Sequence, residues 1–149
     1  MKHVLFVCTG NTCRSPLAEA LLRAKGDENI EVQSAGVAAH PGMLASKETE
    51  AVLKERGIPF RHASRPLNKE RIEWADIILT MTKSHHEIAV QNHPEAADKI
   101  FTIKEFAADS DEAAGDIIDP IGGTMETYRK TAEELDRIMD AVLDKLKQL

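Results

Sequence analysis

Residues 4–16 read Val-Leu-Phe-Val-Cys-Thr-Gly-Asn-Thr-Cys-Arg-Ser-Pro, a segment that predicts the first strand, loop and helix of the fold. The nearly continuous apolar run at 3–7 predicts a buried strand of a parallel sheet, because such strands are covered on both faces. Ser15 and Pro16 predict the N-cap and the first turn of a helix. A strand, a tight loop and a helix in this order are typical of the first unit of an α/β fold.

Further strands and helices alternate along the rest of the chain. We expect strands at 31–34, 77–81 and 100–102, and helices at 16–25, 44–56, 69–74, 83–91 and 125–146. Thr124 is the expected cap of the last helix, whose apolar positions recur at spacings of three and four and indicate a side that faces the core. These positions are Tyr128, Ala132, Leu135, Met139, Val142 and Leu146. The alternation predicts a parallel sheet with helices on both faces, in which ligands bind at the carboxyl ends of the strands.

The loop after the first strand has the residue types that hold a phosphoryl group against a sulfur nucleophile. Its backbone N–H groups between Cys8 and Arg14 can surround one tetrahedral oxyanion, and the following helix adds its positive end. Arg14 can bind two phosphate oxygens with its planar guanidinium. Because this environment favours a thiolate, we expect a lowered pKa for Cys8. The predicted phosphate-binding residues are Thr9, Gly10, Asn11, Thr12, Cys13, Arg14 and Ser15.

The second part of the predicted chemistry is a proton donor far downstream. Asp119 precedes Pro120, which disfavours helical geometry at Asp119 and lets its carboxyl project from a loop. A leaving group needs a proton, and the water of a second step must lose one, so that one carboxyl can serve both steps. We therefore predict Asp119 as general acid and base, and we interpret Asp111 and Asp116 as solvated loop charges.

Composition narrows the class of protein. The 149 residues are consistent with one domain, and 25 acidic against 19 basic side chains give a net charge of -6, which argues against a nucleic-acid partner. No apolar run approaches the ~18 residues of a membrane span and no signal-peptide pattern is evident, so we expect a cytoplasmic protein without a membrane partner. Two cysteines cannot form a four-cysteine zinc site, and the adjacent His85 and His86 do not share a helix face. We expect no metal and no cofactor.

The segment from Val7 to Pro16, together with Asp119-Pro120, resembles the low-molecular-weight protein tyrosine phosphatase family, and the resemblance extends over essentially all 149 residues. It is most similar to the bacterial protein-arginine phosphatase branch. The resemblance implies a three-layer, flavodoxin-like fold with a four-stranded parallel sheet, and a monomer. It also implies that Ser34 and His62 support Asn11. From its position, Ser15 is expected to donate its hydroxyl hydrogen to the Cys8 sulfur.

Two features bear on the substrate. Thr12 stands where tyrosine-directed members of the family carry isoleucine or leucine, and the resemblance implies that this threonine marks specificity for phosphoarginine. Ile121 and two glycines follow Asp119-Pro120, where those members carry tyrosines that flank a phenyl ring. Relatives in the arginine-phosphatase branch can carry phenylalanine at the position of Ile121. We therefore expect arginine-phosphorylated proteins as substrates and inorganic phosphate as product, with Thr12 and Ile121 setting specificity.

Other functions remain open from the sequence. A tyrosine phosphatase of the same fold is the first alternative. An arsenate reductase needs further cysteines, and none exists outside the loop, so that it would have to use an external thiol. A non-enzymatic protein is the remaining alternative, either a redox-sensing module that binds anions or a phosphocysteine carrier, and the carrier would need neither Arg14 nor a general acid such as Asp119. Cys8 and Cys13 could form a reversible disulfide under oxidation.

Overall fold

Four strands form one parallel sheet in the computed structural model, which describes residues 1–107 and 116–149. The strands are β1 (Lys2–Cys8), β2 (Ile30–Gly36), β3 (Ile77–Thr80) and β4 (Ile100–Thr102). The helices are α1 (Arg14–Ala24), α2 (Lys47–Glu55), α3 (Lys69–Trp74), α4 (Lys83–Asn92), α5 (Ile103–Ala107) and α6 (Met125–Gln148), with a 3-10 helix at Pro94–Lys99. Across the sheet the strands are ordered β2-β1-β3-β4, and every pair is parallel.

Alternation along β1 divides the core into two layers of packing. Val4 and Phe6 face one side of the sheet, where they pack with buried side chains of α1, α2, α5 and α6. Leu5 and Val7 face the other side, where α3, α4 and the 3-10 helix supply the partners. All four side chains are fully buried, as expected for a parallel strand between two helical layers. The predicted three-layer α/β fold is therefore confirmed.

The strand order places a crevice at the end of β1. The chain passes from β1 to β2 on one side and later returns to β3 on the other side, so that the order reverses between β1 and β3. Ligands bind at such reversals in open α/β sheets. The residues that follow β1, at 9–13, and those that follow β3, at 81–82, both lie at this point. The fold thus brings the predicted phosphate-binding loop to the expected ligand position.

The predicted elements all form, with shifted ends. The second helix begins at Lys47 instead of 44, because Ser46 caps it by accepting from the Thr49 N–H. The apolar stripe of α6 is buried as predicted, and Thr124 caps that helix. Sequence patterns did not predict α5 or the 3-10 helix, which have five and six residues and are too short to show a period. Asp111 lies outside the described residues.

The prediction of Ser15 as an N-cap is wrong. Helix α1 begins at Arg14, and Cys13 is its N-cap residue without a side-chain hydrogen bond. Ser15 lies inside the first turn, where its hydroxyl contacts Cys8 and Asn11 instead of a backbone N–H. The local preference of serine for a cap position is overridden here by side-chain partners from the loop.

Candidate active site

Cys8 ends β1, and its sulfur is held by one hydroxyl. The Sγ atom lies 2.9 Å from the Ser15 Oγ, in a buried contact. The Asn11 side-chain amide donates to that same Oγ at 2.8 Å. Since Ser15 already accepts from Asn11, its own hydrogen is available to the sulfur. The arrangement suits a thiolate, which can only accept, and it confirms that Ser15 and Cys8 are in contact as predicted.

The prediction of a lowered pKa for Cys8 is wrong. Burial raises the pKa of the Cys8 thiol above its ordinary value and is the largest influence. The Ser15 hydroxyl, the backbone N–H groups of Ser15 and Asn11, and the charge of Arg14 all lower this pKa without outweighing burial. The sequence showed the positive groups but not the depth at which the sulfur lies, and desolvation always disfavours the charged form.

Asn11 is the centre of the loop. It is fully buried and has a positive φ of 58°, a conformation that asparagine tolerates better than most residues. Its amide nitrogen donates to the hydroxyl oxygens of Ser15 and Ser34, at 2.8 and 2.9 Å. Its side-chain oxygen accepts from the Arg65 N–H at 2.9 Å. Every hydrogen-bonding group of this side chain is therefore used, which fixes the unusual backbone conformation of the loop.

The two residues expected to support Asn11 both contact it. Ser34 accepts from the Asn11 amide and donates to Glu19 at 2.6 Å. His62 donates from Nε2 to the Asn11 carbonyl oxygen at 2.5 Å. The pKa of His62 is lowered, because burial outweighs the hydrogen bond to the Asn11 carbonyl oxygen and the charge of Glu19, which both raise this pKa. Glu19 was not predicted, although its i,i+4 spacing to Arg23, which pairs with it at 2.8 Å, was visible in the sequence.

Gly36 lets the end of β2 approach the loop closely. A Cβ atom at this position would lie 2.3 Å from the Thr9 carbonyl oxygen, so that only glycine fits there. The Val37 and Ala38 N–H groups donate to the carbonyl oxygens of Cys8 and Thr9, both at 2.9 Å. The backbone of the loop is thus held by the end of β2 and by the two residues that follow it. Backbone contacts of this kind cannot be predicted from the side chains of the loop.

Arg14 and Asp119 meet across the site. The Arg14 side chain is 7% exposed and donates from Nη1 to the Ile117 carbonyl oxygen at 3.0 Å. Its Nη2 lies 3.4 Å from Asp119 Oδ2, and the Asp119 side chain is 44% exposed. The other carboxylate oxygen accepts from the Ile121 N–H at 3.0 Å. The structure therefore brings Arg14, the predicted phosphate-binding side chain, next to Asp119, the predicted general acid.

A tight turn follows Asp119. The Gly123 N–H donates to the Pro120 carbonyl oxygen at 2.8 Å, and Gly122 has a positive φ of 77° at the third position of the turn. Ile121 is 66% exposed beside the acid. Asp116, interpreted above as a solvated charge, is exposed but accepts from the Lys83 N–H at 2.8 Å.

Cys13 packs in the core and contacts the last helix. It is buried, and its sulfur lies 3.6 Å from the Tyr128 hydroxyl. Burial raises the pKa of Tyr128 to about 12, and the contact with Cys13 adds to the increase, so that the hydroxyl keeps its hydrogen at neutral pH. Both cysteines are free thiols. Thr12 is half-buried, with its carbonyl oxygen bound by the Ser46 N–H at 2.9 Å.

His85 is a residue near the loop that sequence reasoning missed. Its Nε2 lies 2.8 Å from the Thr9 hydroxyl oxygen, whereas His86 bonds to the Ile100 carbonyl oxygen on β4. Its position just after β3, at the strand end beside the loop, was a signal that could have found it. In the part of the chain that the structure describes, no group of three or more His, Cys, Asp or Glu side chains could hold a metal ion. None of the described helices is long and apolar enough to cross a membrane.

Residues 3–149 match the family described as low molecular weight phosphotyrosine protein phosphatase. The chain belongs to this family, which confirms the resemblance drawn from the loop and from Asp119. It is 49% identical over 144 residues to a protein-arginine-phosphatase of Geobacillus stearothermophilus, covering 97% of this chain and 95% of the relative. Two solved structures are also similar. The YwlE arginine phosphatase from Geobacillus stearothermophilus has a TM-score of 0.95 at 47% identity, covering 99% of this chain and 94% of that one. A low molecular weight protein tyrosine phosphatase from T. tengcongensis has a TM-score of 0.90 at 47% identity, covering 97% and 99%.

Proposed function

We propose that this chain is a protein-arginine phosphatase, which hydrolyses phosphoarginine in proteins through a cysteinyl-phosphate intermediate. The observation that carries the proposal is the convergence of Cys8, Arg14 and Asp119 at the end of β1. A buried sulfur has a hydroxyl partner at 2.9 Å, and the guanidinium of the same loop has a carboxylate at 3.4 Å. We assign residues 1–149 to one phosphatase domain, since α6 packs against α1 and α5.

In the first step the Cys8 thiolate attacks phosphorus. The sulfur–phosphorus bond forms, the bond from phosphorus to the arginine nitrogen breaks, and Asp119 gives its proton to that nitrogen. Backbone N–H groups of residues 9–14 and the Arg14 guanidinium hold the phosphoryl oxygens. Because burial raises the pKa of Cys8, the hydrogen bond from Ser15 is needed to stabilise the thiolate.

In the second step water replaces the sulfur. The Asp119 carboxylate, left deprotonated by the first step, takes a proton from water while the water oxygen attacks phosphorus. The sulfur–phosphorus bond breaks, inorganic phosphate leaves, and Cys8 returns to the thiolate, again stabilised by Ser15. Asp119 is exposed enough to meet both the substrate nitrogen and the water, since 44% of its side chain is accessible.

The substrate preference rests on residues around the mouth of the site. Asp119 already pairs with one guanidinium, that of Arg14. We assign its carboxylate, once the first step has left it deprotonated, a second such pair with the guanidinium of the departing arginine. Thr12 is smaller and more polar than the isoleucine or leucine of tyrosine-directed members. Ile121 is exposed beside the acid and offers no ring for a phenyl group to stack on. The relative named as a protein-arginine-phosphatase supports the same substrate.

A protein tyrosine phosphatase is the second candidate. The two solved structures named as arginine phosphatase and as tyrosine phosphatase have the same 47% identity to this chain. The identity of these two structures therefore does not separate the two substrates, and the preference for phosphoarginine depends on Thr12, Ile121 and the relative named as a protein-arginine-phosphatase.

We also propose the substrates, the oligomeric state, the localisation and the redox behaviour of the enzyme. Arginine-phosphorylated proteins are its substrates, it acts as a monomer in the cytoplasm, and it uses no cofactor. A peroxide oxidises the Cys8 thiolate to a sulfenic acid, and the Cys13 thiol, which contacts the Tyr128 hydroxyl at 3.6 Å in the reduced protein, then displaces water to form a reversible disulfide. Mass spectrometry of the oxidised protein would show this bond as the loss of two hydrogens that a thiol reductant restores.

The deciding experiment compares peptides of one sequence that carry either phosphoarginine or phosphotyrosine. The wild type is expected to have the larger kcat/KM for phosphoarginine, and Thr12→Ile to reduce or reverse this preference. Thr12→Val is the matched control, because it removes the hydroxyl while almost keeping the volume. An equal or larger kcat/KM for phosphotyrosine in the wild type would make the tyrosine phosphatase the better assignment.

A further inference from the structure

His85 is a buried titratable residue that the chemistry above does not use. It is 4% exposed and lies in the first turn of α4, where its backbone N–H donates to the Thr82 hydroxyl at 3.1 Å. Its Nε2 lies 2.8 Å from the Thr9 hydroxyl oxygen. Its Nδ1 is buried and has no hydrogen-bond partner among the described residues. A buried imidazole with one used and one unused nitrogen needs an explanation.

The lack of a partner for Nδ1 among the described residues indicates which nitrogen of His85 carries the hydrogen. Buried N–H groups without an acceptor are rarer than oxygens or nitrogens with an unused lone pair. The tautomer with hydrogen on Nε2 avoids such an N–H, because it donates to Thr9 and leaves only a lone pair on Nδ1. Burial and the charge of Arg14 lower the pKa of His85 to about 4, against the opposing effects of Asp116 and Asp119. His85 is therefore a neutral donor to Thr9 at neutral pH.

The segment around His85 also holds the other half of the site. The Ile117 N–H donates to the Met81 carbonyl oxygen at 2.9 Å, and the Lys83 N–H donates to Asp116 at 2.8 Å. The Ile117 carbonyl oxygen in turn accepts from Arg14 at 3.0 Å. Residues 81–85 thus contact the phosphate-binding loop through one side chain. They contact the segment before Asp119 through one backbone–backbone bond and one bond from a backbone N–H to the Asp116 carboxylate.

We propose that His85 is a positioning residue, which fixes the phosphate-binding loop to the start of α4 by donating from Nε2 to the Thr9 hydroxyl. Thr9 directly follows Cys8, and its carbonyl oxygen is held on the other side by Ala38. The His85 side chain binds the Thr9 hydroxyl, so that Thr9 is held through both its backbone and its side chain. The inference rests on the proposed function, because it assigns the loop to phosphate binding.

The test measures the inhibition constant of inorganic phosphate against an aryl phosphate substrate. His85→Leu removes the donor, and we expect phosphate inhibition about three- to tenfold weaker, as for the loss of one hydrogen bond. His85→Gln carries an amide nitrogen near the place of Nε2 and should restore most of the inhibition. His85→Asn reaches only the place of Nδ1 and should not. A role in packing alone would not separate glutamine from asparagine in this way.

Thr9→Val gives an independent variant should His85→Leu fail to fold. It should weaken phosphate inhibition as much as His85→Leu does, and combining the two should add nothing further, because both remove the same bond. Asp116→Ala is the matched contrast, since it loosens the other contact of residues 81–85. It should lower kcat and leave the phosphate inhibition constant within about twofold.

The outcomes separate the two proposals. Unchanged phosphate inhibition in both His85→Leu and Thr9→Val, with a wild type that phosphate inhibits, would overturn the role of His85 and leave the phosphatase intact. Additive effects of the two variants would overturn it as well. A wild type that phosphate does not inhibit would contradict the proposed function itself.

Discussion

The two loops of the site are built in opposite ways. In the phosphate-binding loop at 8–15, Asn11 is fully buried and bonds to two hydroxyls and one backbone N–H, and the residues Cys8, Cys13, Arg14 and Ser15 are buried as well. The loop at 117–123 carries Asp119 and Ile121 in exposed positions. Its carboxylate is held by one guanidinium at 3.4 Å and by the Ile121 N–H. The loop at 8–15 is therefore held firmly by its surroundings, whereas the loop at 117–123 is attached to the rest of the protein at few points.

This difference matches what each loop contributes to the reaction. Binding a tetrahedral oxyanion and attacking phosphorus need donors in fixed places, which a buried hydrogen-bond network supplies before the substrate arrives. The acid must reach the departing atom of a large substrate, and an exposed turn can do so without disturbing the core. Side chains on that turn can differ between relatives while the chemistry stays the same, and Ile121 is such a position.

The largest effect is expected from the nucleophile in the buried loop. Cys8→Ser should lower kcat by about four orders of magnitude or more, because a hydroxyl in this place is a far weaker nucleophile. Inorganic phosphate should still bind, since the backbone donors and Arg14 remain. Steady-state kinetics and phosphate titration check both parts. Appreciable turnover by the serine variant would refute the role of Cys8.

A smaller loss is expected from the acid on the exposed loop. Asp119→Asn keeps the shape but removes the proton donor, and kcat should fall by about 10²- to 10⁴-fold. Aryl phosphates with good leaving groups should lose less than phosphoarginine peptides, because their first step needs the proton less. An equal loss on both kinds of substrate would mean that Asp119 acts through Arg14 and not as an acid.

Asn11 tests how far the buried loop depends on its hydrogen bonds. Asn11→Gly removes the side-chain bonds but allows the φ of 58°, while Asn11→Ala also opposes that conformation. We expect the alanine variant to be less stable than the glycine variant by about 1–2 kcal/mol, and kcat to fall by about tenfold or more in both. Chemical denaturation and kinetics give the two values. Equal stability of the two variants would show that the loop does not enforce its positive φ.

The smallest effect concerns the proton on the nucleophile. Ser15→Ala removes a hydrogen bond that lowers the pKa of Cys8, so that this pKa rises further. Since the thiolate is the reactive form, the rise of alkylation rate with pH should shift to higher pH. Ser15→Thr keeps the hydroxyl and is the control. A shift in the threonine variant as large as in alanine would assign the effect to packing.

Sequence reasoning found the residues whose chemistry is carried by their own side chains. Cys8, Arg14 and Asp119 stand in local patterns, and the resemblance added Ser34 and His62, both of which contact Asn11. Backbone partners could not be found in this way. The Arg65 N–H and the Ile117 carbonyl oxygen belong to groups that every residue has, so that only the fold shows which of them reach the site.

Two errors share one cause. The pKa of Cys8 was expected to fall and is raised by burial, and Ser15 was expected to cap a helix and instead contacts Cys8 and Asn11. In both cases the local pattern identified a group that is present in the site. The surroundings that determine its pKa or its hydrogen bonds come from distant parts of the chain. Helix caps without such competition, at Ser46 and Thr124, form with their own side chains as acceptors.

The mass of the enzyme during turnover tests the cysteinyl-phosphate intermediate directly. The wild type is given a phosphoarginine peptide, and Asp119→Asn is given an aryl phosphate with a good leaving group, because the first step of this variant on the peptide would be slowed as well. Asp119→Asn should slow hydrolysis of the intermediate, and denaturation at neutral pH should trap it. We predict that intact and peptide mass spectra show one added phosphoryl group on the segment that contains Cys8, and none in a Cys8→Ala, Asp119→Asn variant. Release of phosphate without any phosphorylated enzyme, or a phosphoryl group that persists when Cys8 is replaced, would contradict the account.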